Sequence, residues 1–138
     1  MKSLLFLFYF LIGCSDHSII KVETVDPIAG EPNIIVTPEF IEYGHLIAGV
    51  ESLSDLVTII NSGDGTLEIE DIGIYGQTNF SLNQPSKYEL ENSETTDFEV
   101  HYEPITFEEK SAHVYIVSND PDQPVVNIPI HGFGDAPV

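Results

Sequence analysis

One cysteine, five histidines and a surplus of carboxylates are the side chains with which this chain could do chemistry. Cys14 is the only thiol, so it cannot form an internal disulfide, and a leftover exposed thiol is a liability in an oxidising compartment. The histidines are His17, His45, His101, His113 and His131. If the hairpin from Ala112 to His131 keeps its apolar positions in register, His113 and His131 stand opposite each other on its outer face, about 5 Å apart at Cβ. With a carboxylate from a neighbouring strand they could hold zinc, although two ligands make half a site and structural zinc wants four, usually with Cys. Asp120-x-Asp122 invites a calcium reading, but calcium takes six or more oxygens, and Pro121 and Pro124 account for the segment as a hairpin turn. Glu68 with Glu70, and Glu108 with Glu109, read as solvated faces. No serine sits in a Gly-x-Ser-x-Gly elbow, there is no His-Glu-x-x-His, and neither Gly63-Asp64-Gly65 nor Gly132-Phe133-Gly134 opens a helix that could cradle phosphate. The sequence therefore predicts no enzyme, no catalytic residue and no cofactor, with His113 and His131 as the metal candidates.

Charge narrows the partners. The 138 residues carry 23 acidic side chains against four lysines and no arginine, a formal charge of -19. Nucleic-acid phosphate is bound mainly through Lys and Arg, so a nucleic-acid role is excluded. A hydrophobic share of 42% is ordinary for a folded domain, and the length suits one domain rather than several.

Lys2 precedes an unbroken apolar run, Leu4 to Ile12, which ends at Gly13-Cys14 and polar Ser15-Asp16-His17-Ser18. That is the charged start, apolar core and small-residue exit of a secretory signal, and it falls short of the roughly 20 residues of a membrane span. An ordinary secretory signal with an incidental cysteine is the plainer reading. Leu11-Ile12-Gly13-Cys14, however, resembles the lipobox of bacterial lipoproteins. The resemblance implies cleavage before Cys14, a diacylglycerol thioether on its sulfur and an acylated new amino terminus, so that 1–13 is a lipoprotein signal peptide. Acyl chains contribute about 0.8 kcal/mol per buried methylene and would hold the protein on a bilayer without basic residues. Ser15, in the second mature position, resembles outer-membrane rather than inner-membrane sorting. Residues 14–32 read as the lipidated cysteine and a flexible tether, with Pro27, Gly30 and Pro32 and no sustained period; an edge strand over Ile19 to Val25 is the alternative.

From 33 to 134, short runs rich in Ile, Val, Thr, Phe and Tyr recur between turn signals, and no segment shows helical apolar spacing. Strands are expected near Ile34 to Thr37, Phe40 to Tyr43, Leu56 to Asn61, Leu67 to Ile74, Thr95 to Tyr102, Ala112 to Ser118 and Val125 to His131. Seven strands in about 100 residues predict an all-β antiparallel sandwich, followed by a tail at 135–138. Phe98, Val100 and Tyr102 alternate with Asp97, Glu99 and His101, so one face is core and the other faces water. The expected core is Val57, Ile59, Leu67, Ile69, Phe80, Phe98, Val100, Val114, Ile116, Val126 and Ile128. Asn61-Ser62-Gly63-Asp64-Gly65 is read as a turn of residues that tolerate positive φ. Pro129 cannot donate to a ladder, which places the last strand at a sheet edge.

Pro38-Glu39-Phe40-Ile41-Glu42-Tyr43-Gly44, Val57-Thr58-Ile59-Ile60-Asn61-Ser62-Gly63, Leu67, Phe80, Val100-His101-Tyr102-Glu103-Pro104, Ser118-Asn119-Asp120-Pro121 and Gly132-Phe133-Gly134 follow in an order that resembles the ASH domain. This family, also called Hydin-like or choice-of-anchor D, is related to major sperm protein domains, and the resemblance covers about Asn33 to Gly134. It implies an immunoglobulin-like sandwich without transferable catalytic residues. Tyr43 and Tyr102 stand where the family commonly has Phe. Joined to the export signal, it implies a membrane-tethered structural or protein-binding module at a bacterial cell envelope. The rival readings are an N-terminal piece of a longer tandem-repeat surface adhesin, since a further copy would begin at Asp135-Ala136-Pro137-Val138, and a metal- or ligand-carrying lipoprotein that uses the histidine face.

Mass spectrometry of the mature amino terminus should find an acylated Cys14 as the first residue, and Cys14→Ser should leave the precursor uncleaved; an unmodified Cys14 would overturn the lipoprotein reading.

Overall fold

A computed structural model describes residues 30–138, so Cys14, His17, the signal segment and all of the expected tether except 30–32 lie outside the described residues. Among those described there are nine strands and no helix: β1 (Ile34–Thr37), β2 (Ile41–Ile47), β3 (Leu53–Asn61), β4 (Leu67–Gly76), β5 (Phe80–Leu82), β6 (Glu89–Leu90), β7 (Thr95–Tyr102), β8 (Glu109–Ser118) and β9 (Val125–Asp135). Two sheets face each other, one ordered β1-β3-β7-β5 and the other β2-β9-β8-β4-β6. The sandwich is the expected class; the count is nine rather than seven. The two additions are three and two residues long, too short to display alternation, and exist because Phe80 pairs with Tyr102 and Leu90 with Leu67.

The first strand changes sheet. β1 runs antiparallel to β3, the chain crosses over through a cis Thr37–Pro38 bond, and β2 joins the other sheet parallel to β9. The sandwich is therefore not wholly antiparallel. It follows that β9, expected at an edge, lies inside its sheet between β2 and β8. The ladder to β2 begins only at the Ile41–Ile130 pair, so Val125 to Pro129 have β8 on one side alone. Ser118 N donates to Pro124 O at 3.0 Å. Antiparallel pairs alternate between bonded and non-bonded, so the backbone groups of Val125, Asn127 and Pro129 point away from β8. The proline thus sits in the half-open part of a central strand, where its missing N–H breaks no ladder.

Two bulges explain why the apolar pattern slips within strands. In β4 the register to β8 shifts between Ile69 and Asp71, so Leu67 and Ile69 are buried and the buried phase resumes at Ile72. In β2 it shifts between Glu42 and His45, with Gly44 at φ +67, and burial moves from Ile41 and Tyr43 to Leu46.

The core is continuous across both sheets. Val57, Ile59, Leu67, Val100, Val114, Ile116 and Ile128 are wholly buried, each contributing about 1.5 to 3 kcal/mol. Of the expected core, Phe80 and Val126 are only partly buried and pack against its rim. At one end an aromatic cluster bridges the sheets: Tyr102 stacks on Phe80 at 4.6 Å and meets Tyr43 at 5.4 Å between centroids. Gly132 makes room for it, since a Cβ there would lie 2.4 Å from Tyr102 Cε1. The two tyrosine hydroxyls differ in their surroundings. Tyr43 Oη donates to Val100 O at 2.6 Å, while the buried Tyr102 hydroxyl has no partner among the described residues. Burial pushes both phenol pKa values up, and a nearby Asp55 charge adds to this for Tyr43.

Thermal melts should therefore separate two identical-looking substitutions. Tyr43→Phe should cost about 1 kcal/mol, whereas Tyr102→Phe should be neutral or stabilising by about 1 kcal/mol, because it removes a buried hydroxyl that makes no bond.

Candidate functional site

Strand polarity gives the sandwich two ends. Asn33, the β3–β4 turn, the β6–β7 turn and the β8–β9 turn share the near end, tied by Ser62 N to Asn33 O at 2.9 Å, Asn92 Nδ2 to Gly63 O at 2.8 Å and Asn119 Nδ2 to Thr66 O at 3.0 Å. The β2–β3 loop, the β7–β8 loop and the end of β9 form the far end, where Gly49 N donates to Pro104 O at 2.7 Å and Gly134 N to Glu108 O at 3.0 Å.

Two buried polar side chains build the near end. Asn61 is fully buried and fully bonded: Nδ2 donates to Gly65 O at 2.7 Å and Leu90 O at 2.8 Å, and Oδ1 accepts from Asn33 N at 3.2 Å and Gly63 N at 3.0 Å. The turn after it does not need positive φ, contrary to the sequence expectation; among the described residues the glycines with positive φ are Gly44, Gly49 and Gly76. Gly63 and Gly65 serve close approach instead, since a Cβ on Gly63 would lie 2.3 Å from Glu31 O and one on Gly65 1.9 Å from Gly30 O. Asp120, only 1% exposed, accepts from Ile34 N through Oδ2 at 2.8 Å and from Asp122 N and Gln123 N through Oδ1 at 2.8 and 3.1 Å. Burial would raise its pKa, but the three backbone donors outweigh burial and hold it below the ordinary carboxylate value. Its oxygens are thus spent on the protein's own N–H groups, which gives the Asp120-Pro121-Asp122 segment a structural task.

Between β1 and the half-open stretch of β9 lies a cleft of about 440 Å³ lined by Ile34, Ile35, Val36, Val126 and Ile128, with Glu39 and Gln123 at its polar margin. Asn127, whose backbone groups point away from β8, lines it as well.

The histidines do not meet. Val117 pairs with Val125, so His113 stands opposite Pro129 and His131 opposite Ser111, two positions out of the register expected from the sequence. The offset arises because the β8–β9 turn closes tightly on Asp120. His113 stacks on Tyr75 at 5.1 Å, and His45 packs against Phe133 at 4.8 Å while Nδ1 lies 3.0 Å from Asp135 Oδ1. His131 lies between two carboxylates, Nδ1 at 3.0 Å from Glu42 Oε2 and Nε2 at 2.5 Å from Glu109 Oε1. It links β2 to β8 across β9. These bonds, Glu109 first and Glu42 second, raise its pKa against a small opposing effect of burial, and the bond to His131 chiefly lowers that of Glu42. Among the described residues, no group of three or more His, Cys, Asp or Glu is arranged to hold a metal ion.

No family model matches the sequence, and a search of the curated proteins finds no match. Solved structures do match in fold. A protein of unknown function from Porphyromonas gingivalis W83 superposes with a TM-score of 0.66 at 18% identity, over 78% of this chain and 49% of that one. The ASH / PapD-like domain 7 of human CEP192 gives 0.61 at 11% identity, over 91% and 99%. The VesB protease of Vibrio cholerae gives 0.57 at 14% identity, over 75% of this chain and 32% of the protease. This chain thus spans about half of the Porphyromonas protein, a third of the protease and nearly all of the CEP192 domain. The fold is that of the ASH, PapD-like and major-sperm-protein class of immunoglobulin-like domains.

A raised histidine pKa contributes stability while the group is protonated in both states and loses it as pH rises through the folded value. Wild type should therefore exceed His131→Gln in melting temperature by its full margin below about pH 6.5 and converge with it in alkaline buffer. Paired melts at pH 5.5 and pH 9 check the sign; an equal difference at both would mean that the side chain acts by packing alone.

Proposed function

We propose that the chain is a non-enzymatic protein-binding module, tethered by lipid at Cys14 on a bacterial envelope, that takes an extended segment of a partner along the half-open stretch of β9. The observation that carries this reading is the juxtaposition of the outward backbone groups of Asn127, with those of Val125 next to them on the same side, and a cleft of mixed polar and apolar lining whose other wall is β1. A strand laid there would find main-chain partners on one side and sockets for alternate side chains between the sheets, which is how strand addition combines affinity with selectivity. Pro129 offers a carbonyl and no donor, so it limits pairing at that end. The ASH domain and the PapD-like class share the sandwich and support a binding module, while the histidine geometry gives no separate support to a metal carrier.

Asn127→Pro tests the edge, because it removes an outward N–H without breaking the β8 ladder. Capture from an envelope extract by wild type should yield a discrete protein that the variant loses at least tenfold, while the two melt within a few degrees. Equal capture by a folded variant would place the contact elsewhere.

A further inference from the structure

Far from that edge, the far end displays apolar side chains where a solvated loop would carry polar ones. Val50 is 73% exposed on the β2–β3 loop, and Ile105 and Phe107 are 66% and 63% exposed on the β7–β8 loop. The Leu53–Tyr102 pair brings the roots of the two loops side by side, with Leu53 itself 46% exposed. The loops are pinned rather than loose. Ala48 N donates to Asp135 O at 2.9 Å, Glu51 N to Ile47 O at 2.9 Å and Glu103 N to Asn79 O at 3.0 Å, in addition to the bonds from Gly49 and Gly134. Ile47 N in turn donates to the Glu51 carboxylate at 2.7 Å. Gly134 lets the β7–β8 loop lie close, since a Cβ there would fall 2.1 Å from Thr106 O. A preformed loop pair that holds apolar side chains in water is a surface with little left to order on binding.

The rim decides the occupant. Glu51, Glu103, Glu108, Glu109 and Asp135 lie on the same loops and strand ends as the apolar tips, and among the described residues the one lysine at this end, Lys110, is paired with Glu108 at 2.6 Å. Among the described residues, Asp135 and Glu109 are paired with histidines and not with lysine. A second copy of this chain would bring the same acids and a formal charge of -19 against them, and an anionic lipid surface is repelled for the same reason. We infer that the far end is a second docking surface, independent of the β9 edge, whose occupant is a protein with an apolar pocket ringed by Lys or Arg, Phe107 and Ile105 being the anchors. Aromatic and aliphatic anchors inside a charged rim supply affinity at the centre and orientation at the margin.

A fluorescent amphipathic Leu/Lys peptide serves as the probe, with the matching Leu/Glu peptide as control, titrated into the full chain. The Leu/Lys peptide should bind saturably and the Leu/Glu peptide should not. Ile105→Ser with Phe107→Ser, which leaves every charge in place, should weaken binding at least tenfold, as should Ile105→Ser alone to a lesser degree, with thermal melts unchanged. Asn127→Pro should leave this binding intact, which separates the far end from the β9 edge. The inference fails if the Leu/Lys peptide does not bind, if it binds the double variant as it binds wild type, since attraction would then be charge alone, or if the Leu/Glu peptide binds equally. It also fails if sedimentation shows a dimer that the double variant abolishes, or if phosphatidylcholine vesicles bind in an Ile105- and Phe107-dependent way, because the occupant would then be a second copy or a lipid surface.

Discussion

The carboxylate of Asp120 ties β1 to the opposite sheet, and much of the molecule follows from that tie. It accepts the N–H of Ile34 at the start of β1 while its other oxygen closes the β8–β9 turn. A buried charge is tolerable only when its lone pairs are filled, and here three backbone donors fill them. With β1 held to one sheet and β9 started in the other, the chain must cross at Pro38 before β2 can lie beside β9. The crossing leaves the first five residues of β9 paired with β8 alone, with no strand on the β2 side, and opens the cleft. Asn61 does the matching work from the other sheet, holding the chain ahead of β1 and the β3–β4 turn with the same economy of bonds.

Much of the sandwich was legible because its strands obey a period of two. Phe98, Val100 and Tyr102 are buried and Asp97 and Glu99 are exposed, as alternation requires. Legibility failed where a physical event is not periodic. Bulges at Glu70 and Gly44 reverse the inside–outside phase within β4 and β2, and no local residue announces them with certainty. β5 and β6 depend on partners far away in sequence. Pro129 correctly signalled an open side, yet an edge strand and a half-covered central strand demand the same thing of a proline, so the topology stayed hidden. The histidine register was missed because one residue pair of slack in a turn moves every opposition by two, and the tightness of that turn is set by Asp120.

The candidate surfaces were less legible than the core. Ile105 and Phe107 stand in a stretch bounded by Glu103 and Glu108, where apolar residues in a predicted loop were the available signal. The cleft had no sequence signal, because its walls come from β1 and β9, about 90 residues apart, and its shape comes from the sheet switch. The acids have different tasks by location. Asp120 works inside as a structural acceptor, Glu42 and Glu109 hold His131, and Glu51 caps the start of its own loop, while Asp97 and Glu99 keep the outer face of β7 wet.

The parallel ladder between β2 and β9 also sets how the module would answer a mechanical load. The chain arrives at the near end and leaves at the far end, so tension along it would draw β2 toward its beginning and β9 toward its end. The pairs from Ile41–Ile130 to Ile47–Asp135 would then be sheared together rather than peeled apart one after another. A sandwich loaded in this way yields at a rate set by its unfolding barrier, and the contacts of Tyr43 with Phe80 and Tyr102 tie β2 to the opposite sheet against that sliding.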